Sequence, residues 1–329
     1  MPLITSIFFG FAPVFLFACI LYWLDRYEKE PLLLLGGVFI WGAVVAAGAA
    51  YIVNTVLGVG VYIVTGSEGV SDLTTGSIIA PIVEESLKGL AVLLVFLIFR
   101  NEFDSIFDGT IYAGVAALGF AATENSFYIY SHGFQESGWS GLFALVFIRV
   151  VLVGWQHPFY TSFTGIGLAL SRLNRSWGVK IIAPLLGWLM AVFTHSFHNT
   201  LASLLSGVGG LAFGTMIDWS GWFVMFLFML WVLGREKKRI ETYLRDEITS
   251  GTMTTAQYRA ASSGWKRFLA TSAALFSGQF QATRRFYQLC GELAHKKYQK
   301  ESLGEESNNS AIILRLREEM ARLSPVARV

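Results

Sequence analysis

Residues 32–54 read LLLLGGVFIWGAVVAAGAAYIVN, with no charged side chain among them. A helix rises ~1.5 Å per residue, and about 20 apolar residues cross the hydrocarbon core of a bilayer. This stretch is therefore long enough to span, and its apolar character continues past Asn54 toward Thr65. Working outward, comparable runs fall at 3–24, 76–99, 108–130, 142–170, 180–206 and 211–234. That predicts seven spans. Eight is the alternative count, and the long fifth run, with Pro158 inside it, is either one tilted, kinked helix or a helix plus a re-entrant piece. The seventh run carries Asp218 and Gly221, so its span is expected to start near Trp219.

Composition agrees with this reading. The chain of 329 residues is 54% hydrophobic and 15% charged, with a mean hydropathy of +0.53; soluble domains carry roughly 25% charged residues. So few charges cannot cover so much apolar surface, which excludes a soluble cytoplasmic enzyme, and a disordered chain needs the opposite composition. The two cysteines, Cys19 and Cys290, exclude a disulfide scaffold. The fold class expected is all-α: a polytopic membrane protein of about seven transmembrane helices with a small helical C-terminal region.

The net charge of +2 averages two different parts. Residues 1–234 hold 8 Lys and Arg against 13 Asp and Glu, whereas residues 235–329 hold 17 against 10. The expected division is a membrane core over 1–234 and a basic tail over 235–329. Lys and Arg in short loops stay cytoplasmic. Arg26 and Lys29 follow the first span, Arg100 the third, Arg172, Arg175 and Lys180 the fifth, and Arg235, Lys237, Lys238 and Arg239 the seventh. The N-terminal segment and the loops Ser67–Thr75, Ser131–Ser140 and Ser206–Gly210 carry none. A multi-pass protein of the cell membrane is expected, its N-terminus outside and its tail cytoplasmic. The first span is read as retained, because Asp25-Arg26-Tyr27-Glu28 follows it where a cleaved signal would need small residues.

In the tail, Ile240, Tyr243, Leu244 and Ile248 recur at helical spacing, and Gly251 punctuates. Further helices are expected near 256–262, 265–276, 279–300 and 312–323, with 304–309 as a linker. A basic, aromatic-bearing segment beside a membrane suits anionic lipid headgroups. No nucleic-acid reader motif is present, so no nucleic-acid partner is expected.

Ionisable groups inside spans are costly and mark function. They are Glu84, Glu85 and Lys88 in the third span, Glu124 with Asn125 in the fourth, Arg149 and His157 in the fifth, and His195, His198 and Asn199 in the sixth. Under the expected orientation, those of spans three, four and six lie ~10–17 Å below the outer surface, and His157 lies somewhat deeper. Polar residues on four helices are not expected to share a depth by chance. Glu84 and Lys88 are spaced i, i+4, so the pair is expected to keep Glu84 ionised while Glu85 points elsewhere. His157, His195 and Glu124 compose a two-His, one-carboxylate set for a catalytic divalent metal, zinc by its donors, with Glu85 a further possible ligand. The same residues also allow metal-free hydrolysis, with glutamate-activated water and His or Asn donors facing the oxyanion. The structural alternative for the two glutamates is a buried ion pair with Lys88 or Arg149, which are read as counter-ions. His198 is read as packing, Asp218 as interfacial, and Gly36-Gly37, Gly114 and Gly165-x-Gly167 as close-packing glycines.

Five ordered motifs carry a family resemblance. Pro81-Ile-Val-Glu84-Glu85-Ser-Leu-Lys88 resembles the Glu-Glu-x-x-Lys motif of the PrsW family of membrane proteases. Asp108-Gly and Tyr112-Ala-Gly, with Gly119-Phe120-Ala-Ala-Thr-Glu124-Asn125, resemble its second motif. Arg149 with His157-Pro158 resembles the third, and His195-Ser-Phe-His198-Asn199 the fourth. Asp25-Arg-Tyr-Glu-Lys-Glu-Pro31 is similar to the segment that follows the first helix in that family. The likeness covers residues 13–205 and extends to the wider type II CAAX prenyl protease superfamily. It implies an all-helical intramembrane endopeptidase, a metalloprotease acting on a membrane-protein substrate near the outer face, such as an anti-sigma factor. It further implies Glu84 and Glu85 as the water-activating pair. Glu124, His157 and His195 are implied as metal ligands or transition-state donors, with Asn199 supporting them.

Overall fold

The computed structural model describes residues 1–25, 27–205, 207–305 and 308–329, and its ordered elements are helices, with no strand among the described residues. Arg26 of the first loop, Ser206 of the sixth, and Glu306 and Ser307 of the expected linker lie outside the described residues. The chain forms two compact units: Met1–Trp23, Pro31–Arg172 and Ser176–Leu227 make the first, while Leu24–Glu30, Leu173–Arg175 and Phe228–Val329 make the second.

In the first unit, apolar length becomes helix as expected. Five stretches are long and apolar enough to cross a membrane: Pro2–Leu24, Leu32–Thr65, Ile106–Arg172, Trp177–Leu204 and Gly207–Thr249, the last continuing into the second unit. Large apolar side chains cover their outer faces, with Leu33 90% and Val64 86% exposed, as a lipid-facing surface requires. The chain is thus an all-α polytopic membrane protein. Leu32–Thr65 does run past Asn54, and stops where Gly66 takes a left-handed conformation (φ 64°) and donates its N–H to the Tyr62 carbonyl. Ser67 then caps Glu68–Thr74, and the chain stays helical through a π-turn at Thr75–Ile79 into Ala80–Ile98. The wider turn lies just before Pro81, which has no N–H to give its ladder.

The fifth run is not one helix kinked at Pro158. Gln135–Val146 and the π-turn Phe147–Leu152 end at Val153, and a new helix, Gln156–Arg172, follows. Pro158 sits in its first turn, where a missing N–H costs nothing. The break frees Gln156 and His157 to begin a helix aimed into the protein.

Ile106–Tyr128 is the axis of this unit, buried without interruption from Phe107 to Ala122. Its small residues let neighbouring backbones touch it. A Cβ on Gly119 would lie 2.1 Å from the Phe39 carbonyl oxygen, one on Gly42 2.0 Å from that of Ala116, and one on Gly165 2.0 Å from that of Gly109. Of the glycines expected to pack closely, Gly114, Gly165 and Gly167 do; Gly36 and Gly37 meet nothing within 4 Å and face open space. Ser105 and Asp108 start the axis with a reciprocal capping box.

The second unit has its own core: Ile240, Leu244, Phe286, Leu289, Leu293, Leu316 and Met320, with Tyr27 from the segment after the first helix. Its helices include Thr255–Ala261, Gly264–Phe276, Phe280–Leu303 and Asn309–Leu323, the first capped reciprocally by Thr254 and Gln257. Burial pushes the Cys290 thiol up to about 12, which keeps it protonated and inert at neutral pH. Glu247 is fully buried between Lys297 and Arg317, the latter at 2.7 Å. Burial alone would raise its pKa, but hydrogen bonds and charge from Arg317 and Lys297 hold it below the ordinary carboxylate value.

Two outcomes follow. Gly165→Ala should lower the melting temperature of the purified protein, costing about 1–3 kcal/mol through the clash with Gly109, whereas Gly36→Ala should be neutral or mildly stabilising. Because the Glu247 pKa is depressed, its stabilisation is present above the unfolded value of about 4.3 and disappears as pH falls through the lower folded value. Glu247→Gln should therefore destabilise the second unit by about 2 kcal/mol at pH 7, and the gap to the unsubstituted protein should close in unfolding curves taken near pH 3.

Candidate active site

The charged residues of the first unit's interior are drawn together from separate helices. Ala80–Ile98 supplies Glu84, Glu85 and Lys88, all buried. Ile106–Tyr128 supplies Glu124 and Asn125, the π-turn Phe147–Leu152 supplies Arg149, and Gln156–Arg172 begins with Gln156 and His157. Trp177–Leu204 brings His195, His198 and Asn199. A cavity of about 340 Å³ is lined by Glu84, Glu124, Arg149, His157, His195 and Asn199 among others.

Lys88 organises one half. Its ammonium is fully buried, 2.6 Å from Glu85 Oε1, 3.2 Å from His157 Nδ1 and 3.8 Å from Glu84 Oε2. The expected i, i+4 pair with Glu84 is present but long, while the shorter bond goes to Glu85 at i, i+3, so that Glu84 and not Glu85 lines the cavity. Glu85 is saturated, since Thr161 donates to its Oε2 at 2.8 Å and His195 Nδ1 lies 2.9 Å from its Oε1. With Nδ1 donating to Glu85, His195 turns Nε2 toward Glu84 Oε2, 3.8 Å away. The Tyr160 ring stacks on His195 at 4.7 Å and fixes its plane.

Glu124 organises the other half. Arg149 Nη2 donates to its Oε2 at 2.5 Å, and His157 Nε2 lies 2.9 Å from the same oxygen. An ammonium can only donate, so His157 Nδ1 accepts from Lys88 and Nε2 carries the hydrogen given to Glu124. Arg149 also donates through Nε to Asn125 Oδ1 at 2.9 Å. Asn199 reaches back to the Gly76 carbonyl at 2.8 Å, tying Trp177–Leu204 to the π-turn ahead of the glutamates.

Glu84 is the exception in this network. Asn54 donates to its Oε1 at a long 3.4 Å, and its Oε2 is buried without a hydrogen-bond partner. Glu84, His157 and His195 each offer a ligand atom, all within 4.8 Å of one another. In the expected set of Glu124, His157 and His195, Arg149 engages Glu124, which holds the His157 ring, while Glu85 holds the ring of His195 and Glu84 lies beside both histidines. His198 lines the same cavity but pairs with Asp218 at 3.0 Å and Gln156 at 3.2 Å instead of with the glutamates. Asp218 is therefore a partner within the protein and not merely an interfacial residue.

Asn54, Tyr160 and Thr161 were not singled out from the sequence. A signal existed for each: Asn54 is the one side-chain amide in the long Leu32–Thr65 helix, and Tyr160 and Thr161 stand three and four positions after His157, on the same helical face.

Comparison with known proteins places the chain in a family. The PrsW family intramembrane metalloprotease matches residues 30–233. "Protease PrsW" of Bacillus subtilis (strain 168) is 26% identical over 231 residues, covering 70% of this chain and 92% of that protein. "Protease PrsW" of Clostridioides difficile (strain 630) is 38% identical over 108 residues, 32% of this chain and 43% of that protein. The protein of the same name from Geobacillus kaustophilus (strain HTA426) is 28% identical over 130 residues, 39% of this chain and 53% of that protein. This chain thus spans about half the length of the second and third of these relatives and nine-tenths of the first. No solved structure matches it. The family match takes in all four intramembrane motifs, from Glu84 to Asn199, and on that ground the chain belongs to the PrsW family of intramembrane metalloproteases.

Proposed function

We propose that this chain is an intramembrane endopeptidase that hydrolyses a peptide bond of a membrane-protein substrate, with Glu84 as the reacting carboxylate. The observation that carries this is Glu84 Oε2, a buried oxygen with no hydrogen-bond partner on the wall of a cavity shared with His157 and His195. An orphaned buried acceptor is costly, and a site that retains one has a use for it. Glu84 is placed to take a proton from water in the cavity. Glu85 and Thr161 keep His195 in one tautomer, and Glu124, held by Arg149, does the same for His157.

The donor set also suits a divalent metal. Two imidazoles and one carboxylate match zinc chemistry, and each imidazole has a second carboxylate behind it, Glu85 for His195 and Glu124 for His157. Glu84, His195 through Nε2 and His157 through Nδ1, once that nitrogen is released from Lys88, would hold the ion, and when bound it would polarise the scissile carbonyl and acidify water. A second reading, hydrolysis by Glu84 and water without metal, is favoured by Lys88: its ammonium already lies among Glu84, Glu85 and His157, a fixed cation where negative charge would develop.

The proposal extends to orientation and partners. Basic loops on one side support an outward N-terminus and a cytoplasmic tail, which puts the cleavage near the outer face. An anti-sigma-factor-like substrate is compatible with that side. In the tail, Gly264–Phe276 exposes Trp265, Phe268, Leu269, Leu275 and Phe276 beside Lys266, a face suited to anionic lipid.

Glu84→Gln should reduce cleavage of a reporter membrane protein at least about a hundredfold while leaving expression intact. Metal analysis of the purified protein should find one zinc per chain, lost in Glu84→Gln and His195→Ala. An active preparation without metal would overturn the metal route and leave Glu84 with water alone.

A further inference from the structure

A larger groove adjoins this cavity and shares Glu84 with it. A groove of about 910 Å³ lies between Leu32–Thr65, the helical stretch from Glu68 onward and Ile106–Tyr128. Tyr51, Tyr62, Phe127 and Tyr128 give it an aromatic lining. Every charged side chain lining it is an acid: Glu68, Asp72, Glu84 and Glu124, of which Asp72 also lines the smaller cavity. Glu68 and Asp72 stand one helical turn apart on Glu68–Thr74, both exposed and without an ion pair among the described residues.

The groove also holds buried polar atoms with nothing to bond. Asn54 Oδ1, Thr75 Oγ1 and Glu84 Oε2 line it without hydrogen-bond partners, and Glu84 is only 5% exposed. A lipid chain would leave such atoms unsatisfied. An unwound peptide, whose own N–H and C=O groups need partners inside a membrane, satisfies both sides.

We propose that this groove binds the unwound end of a substrate's membrane span, and that Glu68 and Asp72 select a Lys or Arg on the outer side of the cleaved bond. This rests on the proteolytic reading of Glu84. The spacing can be estimated. Asp72 and Glu84 belong to one uninterrupted helical path, so twelve residues at ~1.5 Å separate them by ~18 Å along the axis. An extended chain advances ~3.3 Å per residue, so the basic side chain belongs about five residues from the scissile bond. Opposite charges select the basic residue and like charges reject an acidic one.

The test uses the full-length protein in phosphatidylcholine vesicles and synthetic single-span peptides. Each peptide has an Ala/Leu span with Lys, Gln or Glu set three to seven residues outward of the candidate cleavage positions. Cleavage sites are mapped by mass spectrometry with the unsubstituted enzyme, and binding is measured by fluorescence with Glu84→Gln. The Lys peptides should exceed the Glu peptides about tenfold in both assays, and the cut should move with the Lys. The ratio should fall toward one in Glu68→Gln/Asp72→Asn and invert in Glu68→Lys/Asp72→Lys. Because each ratio is taken within one preparation, it does not depend on how much protein folds, and both positions are exposed. Equal Lys and Glu binding, or a preference unmoved by these substitutions, would overturn the proposal. If no peptide is cut but the Lys peptide is still bound selectively through Glu68 and Asp72, the groove assignment holds and the proteolytic reading falls.

Discussion

A fully buried ammonium is the constraint on which the interior of this protein depends. Lys88 has no contact with solvent, and an unpaired charge there would cost several kcal/mol. Glu85 at 2.6 Å meets that demand, and His157 Nδ1 accepts another of its hydrogens. Each partner then imposes a condition in turn. Glu85 needs Thr161 and His195 to saturate its second oxygen and complete its first, while His157, committed at Nδ1, turns Nε2 to Glu124. Glu124 in turn recruits Arg149. The chain of requirements ends at Glu84, whose second oxygen is left over.

Such a network is stable only if its helices cannot drift. Between lipid-exposed helices little hydrophobic force resists drift, so close packing must supply it. Ile106–Tyr128 does this with backbone contacts at Gly109 and Gly119 and the facing Gly42 and Gly165, where even one methyl would collide. The break at Val153–Trp155 adds a second device. It lets one apolar run supply two functional segments, Arg149 on a π-turn and His157 in the first turn of a fresh helix.

Much of this was legible in the residues. Uncharged length announced the helices, since twenty apolar residues in lipid must satisfy their own backbone groups. The shared depth of Glu84, Glu124 and His195 announced a site, because each is too costly to keep in lipid without a use. Pairing was harder to read. Spacing allowed Lys88 to reach Glu84 or Glu85 equally, and the choice fell to Glu85 because Thr161 and His195 approach from that side. Asp218 looked interfacial until His198 was found against it, and Gly36-Gly37 looked like a packing motif until its surroundings proved open.

The sequence by itself determined that this is a helical membrane protein, which ionisable residues lie inside its apolar runs, and that a polar basic tail follows the spans. These are one-dimensional properties: apolar length, charge content and the order of motifs. Only the tertiary structure decided which of the cavity's carboxylates keeps an oxygen without a hydrogen-bond partner. Glu84, Glu85 and Glu124 are chemically alike, and what separates them is the cation each one meets. Lys88 takes Glu85 and Arg149 takes Glu124, from a neighbouring turn in one case and a different helix in the other. Ion pairing acts over a few ångströms in space, so residues apart in the chain settle which acid remains available to react.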